Sequence, residues 1–446
     1  MDLVRFREEI KDELEGDILP FWLALRDPEG GFYGEVTSDG AVLKDAPRGE
    51  ILNARIIWTF AAAYKALGKQ EYLSAALHAR DWFVSNIIDK ENGGVYWSVS
   101  ADGSPIDTKK QLYSQAFAIY AFSELYKVTS DKADLEVAEN LFNIIESRFA
   151  DHDNGGYGEA LARDFSPLED MSLSSHDINA DKTMNSHLHL LEAYANLYQV
   201  WPDPALKVTL ISLVNLMCEK IMSPEGHLHL YFTRDWTVIP GAVSYGHDIE
   251  TSWLLLECAF ATADPSLIEY VRPYCRKLGI AGNEGLLPDG SMMYESLLDG
   301  SKDFSRQWWV QAETVVGNLW LSKYHSDPEG LPRALSCWNW IKTHLLCHSE
   351  PPACHSERSP ELVEGRSEES DSDVAARAAA VSLRSAPYPG KCSPAASLPL
   401  RSAGEWYWGT LADGVAPDLD NPKAGFWKCP YHNARMCLEA LKIDLY

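Results

Sequence analysis

An all-α fold, six copies of one helical hairpin closed into an (α/α)6 barrel with short β-strands in the loops at one end, is what this 446-residue sequence predicts. Three observations predict it: a recurring glycine–aromatic turn, the near-constant spacing of that turn, and helical apolar patterning between the turns. Gly30-Gly31-Phe32-Tyr33, Gly93-Gly94-Val95-Tyr96-Trp97 and Gly155-Gly156-Tyr157-Gly158 read as turns that lead into short strands. Gly226-His227-Leu228-His229, Gly285-Leu286-Leu287 and Gly404-Glu405-Trp406-Tyr407-Trp408 are weaker versions. Successive turns lie 63, 62, 70, 59 and 119 residues apart, and the last interval becomes 62 once an anomalous 57-residue segment is set aside. A fixed period of this length marks copies of one supersecondary unit.

Each unit holds two helices. Ile57-Phe60-Ala61-Tyr64-Leu67 and Ala116-Ile119-Tyr120-Phe122-Leu125 repeat at the 3.6-residue period. About 62 residues accommodate two helices of roughly 15 residues with their connections. Six such pairs close most simply into a double-layered toroid, because an open stack needs polar caps at both ends. The glycine–aromatic loops then wall a cleft at one end of the ring.

The anomalous segment is 347–403, which has no Trp, no Phe and one Tyr, Tyr388. Ser, Pro, Ala, Glu and Arg dominate it, so burial cannot offset the entropy of ordering it. Its Cys347-His348 and Cys354-His355 pairs lack the fixed geometry a zinc site requires. The expectation is one barrel domain over 1–446, with 347–403 a disordered or low-complexity insertion.

Composition narrows the function. With 39 Lys and Arg against 65 Asp and Glu, the net charge of −26 disfavours nucleic acid and anionic membrane surfaces as partners. No apolar run reaches the 18–20 residues of a membrane span. The amphipathic start Met1-Asp2-Leu3-Val4-Arg5-Phe6 has no signal core, and nine scattered cysteines read as reduced thiols; together they predict a cytoplasmic address. Fifteen Trp and 20 Tyr suit either large cores or a pocket that stacks on sugar faces.

Three histidine segments carry the chemistry. In Asp181-Lys182-Thr183-Met184-Asn185-Ser186-His187-Leu188-His189-Leu190-Leu191-Glu192, residues two apart on a helix diverge by about 200°. Asn185, His189 and Glu192 therefore share one stripe and His187 points elsewhere; His189 fits a polar inner wall or a hydrogen-bonded core position. In Ser244-Tyr245-Gly246-His247-Asp248-Ile249-Glu250, the carboxylate three residues after His247 is placed to fix that imidazole's tautomer and raise its basicity. In Phe426-Trp427-Lys428-Cys429-Pro430-Tyr431-His432, Pro430 suits a first helical position. His432 then lies in the first turn, where the helix field favours a neutral imidazole able to accept a proton. Arg55 sits in an otherwise apolar helix and needs an anionic or polar partner. Nucleotide, zinc-protease and serine-hydrolase motifs are absent. What remains fits cofactor-free acid–base chemistry on a neutral sugar.

These segments, with Trp308-Trp309-Val310-Gln311-Ala312-Glu313 and Gly404-Glu405-Trp406-Tyr407-Trp408-Gly409, resemble the signatures of the N-acylglucosamine 2-epimerase superfamily, and within it those of cellobiose 2-epimerases. The resemblance spans the chain except 347–403. It implies a single (α/α)6 barrel that interconverts glucose and mannose at C2 of the reducing end of β-1,4-linked disaccharides. It also implies His247 and His432 as the acid/base pair and His189 as an assisting histidine. Arg55, Tyr113, Asn185, Glu250, Trp309 and Trp427 match substrate-contacting positions; Trp308 and Glu313 join them as substrate-site candidates. No metal or cofactor is implied. The expected partner is a disaccharide substrate, and the expected state a monomer or weak homodimer. An acylglucosamine epimerase or aldose–ketose isomerase would use overlapping histidines; a glycoside hydrolase or a non-catalytic sugar-binding protein fits them less well.

Overall fold

The computed structural model describes residues 2–174, 177–346 and 404–444. Thirteen α-helices run through them: α1 (Leu3–Glu13), α2 (Leu19–Ala24), α3 (Glu50–Leu67), α4 (Gln70–Asn86), α5 (Leu112–Thr129), α6 (Lys132–Arg148), α7 (Met184–Tyr198), α8 (Pro204–Leu216), α9 (Tyr245–Ala261), α10 (Pro265–Gly282), α11 (Trp308–His325), α12 (Gly330–His344) and α13 (Tyr431–Lys442).

Two kinds of helix alternate. α3, α5, α7, α9 and α11 are buried almost all round, from Glu50 to Ala61 without a break in α3. In α6, by contrast, burial follows the stripe Asp134, Ala138, Leu141, Phe142 and Ile145. Helices apolar on all sides belong inside and amphipathic ones outside. The packing follows: α3, α5, α7, α9, α11 and α13 each touch the next, and α13 touches α3, so the inner ring is closed. α4, α6, α8, α10 and α12 back the inner helix that precedes each of them.

The sixth pair is not consecutive in sequence. Its inner helix is α13, and its outer partner is α1, from the other end of the chain. The join is polar as well as apolar. Trp406 Nε1 donates to Glu13 Oε1 at 2.8 Å, Trp22 Nε1 to Glu405 Oε2 at 2.5 Å, and Trp338 Nε1 to Glu9 Oε2 at 3.0 Å.

Sequence chemistry explains the two ends of the barrel. Inner-to-outer turns are short. Asp131, Asp203 and Asp264 cap the following helix by accepting backbone N–H bonds, and Pro204 and Pro265 occupy first-turn positions. Outer-to-inner loops are long and hold all the described strands. The strand that enters each inner helix pairs antiparallel with a strand of the next loop: 48–49 with 98–99, 110–111 with 160–161, 182–183 with 231–232, 243–244 with 295–296, and 306–307 with 409–410. A Val36–Ala424 bridge supplies the sixth stitch and closes the rim.

Side chains lock this belt to the ring. Gln115 pairs with both backbone groups of Val95, Gln311 with both of Met292, and Asp248 accepts from Leu228 N. His187 acts in the same way, with Nε2 accepting from Tyr157 N at 3.1 Å while Nδ1 donates to Thr183 O at 2.7 Å. It faces away from His189, as the spacing predicts. Buried ion pairs repeat too, Lys110–Asp89 and Lys182–Asp151, both at 2.9 Å.

The predicted insertion at 347–403 lies outside the described residues. Its flanks meet, with Tyr407 N donating to Leu345 O at 3.0 Å. Among the described residues no helix is long and apolar enough to cross a membrane.

Candidate active site

The candidate residues gather in the first turns of the inner helices, at the strand-bearing end. Arg55 comes from α3, Tyr113 from α5, Asn185 and His189 from α7, His247 and Glu250 from α9, Trp309 and Glu313 from α11, and His432 from α13. Trp427 lies on the loop just before α13.

His247 and His432 flank one indole. The Trp309 ring centroid is 4.8 Å from that of His247 and 5.8 Å from that of His432. Gly246 permits the approach, because a Cβ there would lie 2.7 Å from the Trp309 ring. His247 is half-buried and shares a cavity wall with Asn185, Tyr294 and Tyr231. The Asn185 side-chain oxygen is buried in that wall without a hydrogen-bond partner. His189 is buried edge-on to Tyr113, with centroids 5.1 Å apart.

Each imidazole has its own partner on Nδ1. That of His432 is Glu313 Oε1 at 2.7 Å, that of His189 is Glu192 Oε2 at 3.0 Å, and that of His247 is the Ser244 hydroxyl at 2.8 Å. The expected His247–Glu250 pairing is therefore corrected. Glu250 turns to the Arg435 guanidinium, 2.7 Å away, because a buried carboxylate gains more from a full charge than from a neutral ring. Burial and the neighbouring histidine push His247 down to about 3. Burial, then Arg55 and Arg435, push His432 well below the usual histidine range. Burial likewise pushes His189 down, so all three shifts favour the neutral ring, that of His432 through burial and guanidinium charge.

Arg55 is 3% exposed, and among the described residues no carboxylate bonds to it. Its Nη2 donates to Tyr113 OH at 2.9 Å, and its face lies over Phe117 at 4.2 Å and Tyr431 at 4.8 Å. A buried guanidinium with that much unspent charge is suited to a developing oxyanion. Trp427 packs beside Tyr113 at 6.0 Å and Trp97 at 5.7 Å, forming an aromatic wall. Trp308 is not brought to the histidines. It is buried against Trp408, 4.5 Å away, under the Lys428 ammonium, so the structure makes it a packing residue rather than a stacking platform. The one-residue step from Trp309 turns it about 100° around α11.

Arg435 does not stand out in the sequence, yet it is central. Its Nη1 donates to Glu192 Oε1 at 2.6 Å and its Nη2 to Glu250 Oε1 at 2.7 Å and Glu313 Oε1 at 2.6 Å. Tyr431 OH also donates to Glu192, at 2.6 Å. The signal that could have found it is three glutamates on apolar inner helices, which need a shared cation. Glu250, Glu313 and His432 offer donor atoms within 4.8 Å of one another, a grouping that could hold a metal. The donor set fits a metal poorly, since Arg435 already bonds both carboxylates and supplies the positive charge there.

Residues 31–362 match the family model for N-acylglucosamine 2-epimerase (GlcNAc 2-epimerase). The chain belongs to the N-acylglucosamine 2-epimerase family, and it is an isomerase of the carbohydrate epimerase kind. Within that family its similarity is to the cellobiose 2-epimerases. It is 42% identical to one from Bacteroides fragilis, with 98% of each chain covered. The solved cellobiose 2-epimerase of Bacillus thermoamylovorans superposes with a TM-score of 0.82 at 35% identity, covering 98% of this chain and 99% of the other. That of Spirochaeta thermophila gives 0.82 at 34%, covering 99% and 96%. A solved D-mannose isomerase, 20% identical with a TM-score of 0.76 and 98% and 97% covered, shares the fold.

Proposed function

We propose that the enzyme interconverts glucose and mannose at C2 of the reducing end of β-1,4-linked disaccharides such as cellobiose, lactose or mannobiose. The observation that carries the reading is the pair of neutral imidazoles, His247 and His432, set against the same indole from the two inner helices that flank α11. Ring opening exposes the C1 aldehyde and acidifies the C2 hydrogen. One imidazole takes that hydrogen as a proton, leaving a cis-enediolate whose oxygen charge Arg55 stabilises. To invert C2, the second imidazole takes up a proton from solvent once the enediolate has formed, delivers it to the other face of C2 and is neutral again, while the first imidazole releases its captured proton to solvent. His189, backed by Glu192, assists ring opening and binding. Glu313, at 2.7 Å, stabilises the imidazolium formed on His432. Tyr113, Asn185 and Glu250 bind the sugar, and Trp309 and Trp427 stack on its rings.

Incubation with cellobiose, followed by NMR of the reducing-end anomeric signals, tests this. Glucosyl-mannose is the expected product. A glucosyl-ketose instead assigns an aldose–ketose isomerase, and turnover of N-acetylglucosamine alone assigns an acylglucosamine epimerase. We place the enzyme in the cytoplasm as a monomer or weak homodimer; six buried free cysteines among the described residues, at positions such as Cys258 and Cys429, suit a reducing compartment. Size-exclusion chromatography checks the oligomeric state.

A further inference from the structure

Arg435 reaches three other inner helices. From α13 it bonds Glu192 of α7, Glu250 of α9 and Glu313 of α11. Two of those carboxylates are the Nδ1 partners of His189 and His432. A guanidinium is a rigid planar fork, so the carboxylates it holds are fixed in position and in the direction of their free lone pairs. Its plane is clamped in turn, with Cζ over Tyr431 at 4.2 Å and Trp253 at 4.8 Å. Trp253 Nε1 also donates to the second oxygen of Glu313, at 3.0 Å.

We infer that Arg435 is a positioning residue that holds His189 and His432 in the same tautomer, Nδ1–H, through Glu192 and Glu313, so that both rings turn an Nε2 lone pair away from the carboxylates and toward the sugar. The inference rests on the epimerase reading for what those lone pairs do, but not for the tautomers themselves. Glu313 Oε1 receives both Arg435 and His432, and Oε2 receives Trp253, so three donors converge on this one carboxylate. Burial and the neighbouring Glu313 push Glu250 up to about 8. The charged and titratable groups around His432 are Arg55 of α3, His189 and Glu192 of α7, Glu250 of α9, Glu313 of α11 and Arg435 itself.

The test is 15N NMR of enzyme labelled at histidine, without sugar, with His189 and His432 assigned by their loss in His189→Gln and His432→Gln. In the unsubstituted enzyme both rings are expected as Nδ1–H; an Nε2–H form of either overturns the inference whatever the variants do. In Arg435→Lys, which keeps the charge but loses the fork, and in Arg435→Gln, both rings are expected to become tautomer mixtures. In Arg435→Gln the acid limb of kcat/KM on cellobiose should rise by about one pH unit or more, since a cation that disfavours imidazolium is gone and carboxylates are released. A folded variant with unchanged tautomers and an unchanged acid limb reduces Arg435 to a structural counter-ion. Should Arg435→Gln fail to fold, the tautomers of Arg435→Lys and of the unsubstituted enzyme decide. Absence of turnover on cellobiose in every form would refute the epimerase reading while leaving the tautomer measurement intact.

Discussion

Arg55 is the residue whose environment says most about the reaction. A guanidinium buried to 3% exposure ordinarily demands a carboxylate, and this one is given a phenol, a thiol at 3.7 Å and three aromatic faces. Its charge is thereby left for an anion that exists only during the reaction. Arg55→Ala should lower kcat by on the order of 100- to 1,000-fold, the usual effect of removing one oxyanion donor. KM should change far less, and steady-state kinetics on cellobiose checks the split. The same scale shows why the partner of Glu250 is not legible in the sequence. An i, i+3 relation puts Glu250 on the same stretch of helix as His247, but it cannot reveal a guanidinium arriving from a helix 185 residues away.

At the scale of elements, the rim is held by turns whose geometry only certain residues permit. Gly156 has φ +71°, and a Cβ there would come within 2.5 Å of the Trp236 ring and 2.8 Å of His187 Nε2, the atom that holds Tyr157. Gly156→Ala should therefore destabilise the fold by about 2–4 kcal/mol from backbone strain and overpacking together. A lower urea midpoint with an unchanged slope is the expected readout. Because these constraints act on single residues, the turns and their period are legible in the sequence. So is the choice between His187 and His189, which follows from helix geometry alone. Arg435 is not legible: one arginine four residues from Tyr431 reads as the polar face of a terminal helix until the ring closes around it.

At the scale of the whole molecule, closure is the feature that sequence order conceals. Six hairpins of equal period suggest six consecutive pairs, whereas the last pair joins α1 to α13 and so ties the chain ends together. The flanks of 347–403 meet at Leu345 and Tyr407, so the ring needs no residue between them to span a gap. Replacing 347–403 by a short Gly-Ser linker should leave the melting temperature and kcat within experimental error of the parent. Calorimetry and the cellobiose assay check this.

The burial of titratable groups throughout the ring also sets how stability depends on pH. Glu13, Glu159 and Glu250 have folded values pushed up to about 8 by burial, above their unfolded value. Their contribution is present below about pH 4.5 and is lost as pH rises through 8. His187 and His247 are pushed down by burial to about 4 and about 3, and Glu192, despite burial, is drawn to about 2 by Arg435 and His189. The contribution of the histidines is present above about pH 6.5 and that of Glu192 above about pH 4.5, and both are lost on acidification through the folded values. The melting temperature should therefore peak at about pH 5–6.5 and fall on both sides, with the alkaline decline already visible by about pH 8. A scan from pH 3 to 9 at constant ionic strength gives the curve.

In the proposed reaction two imidazoles, from α9 and α13, exchange the hydrogen on one sugar carbon. Turnover of cellobiose in D2O, followed by 1H NMR at the reducing-end C2, measures this directly. The parent enzyme should place deuterium at C2 of both epimers, and His432→Ala, folded as judged by circular dichroism, should form no epimer and label at most the face of C2 that His247 still serves. Epimerisation by the parent without deuterium entering C2, or deuterium at C2 of both epimers with the folded His432→Ala enzyme, would contradict the account.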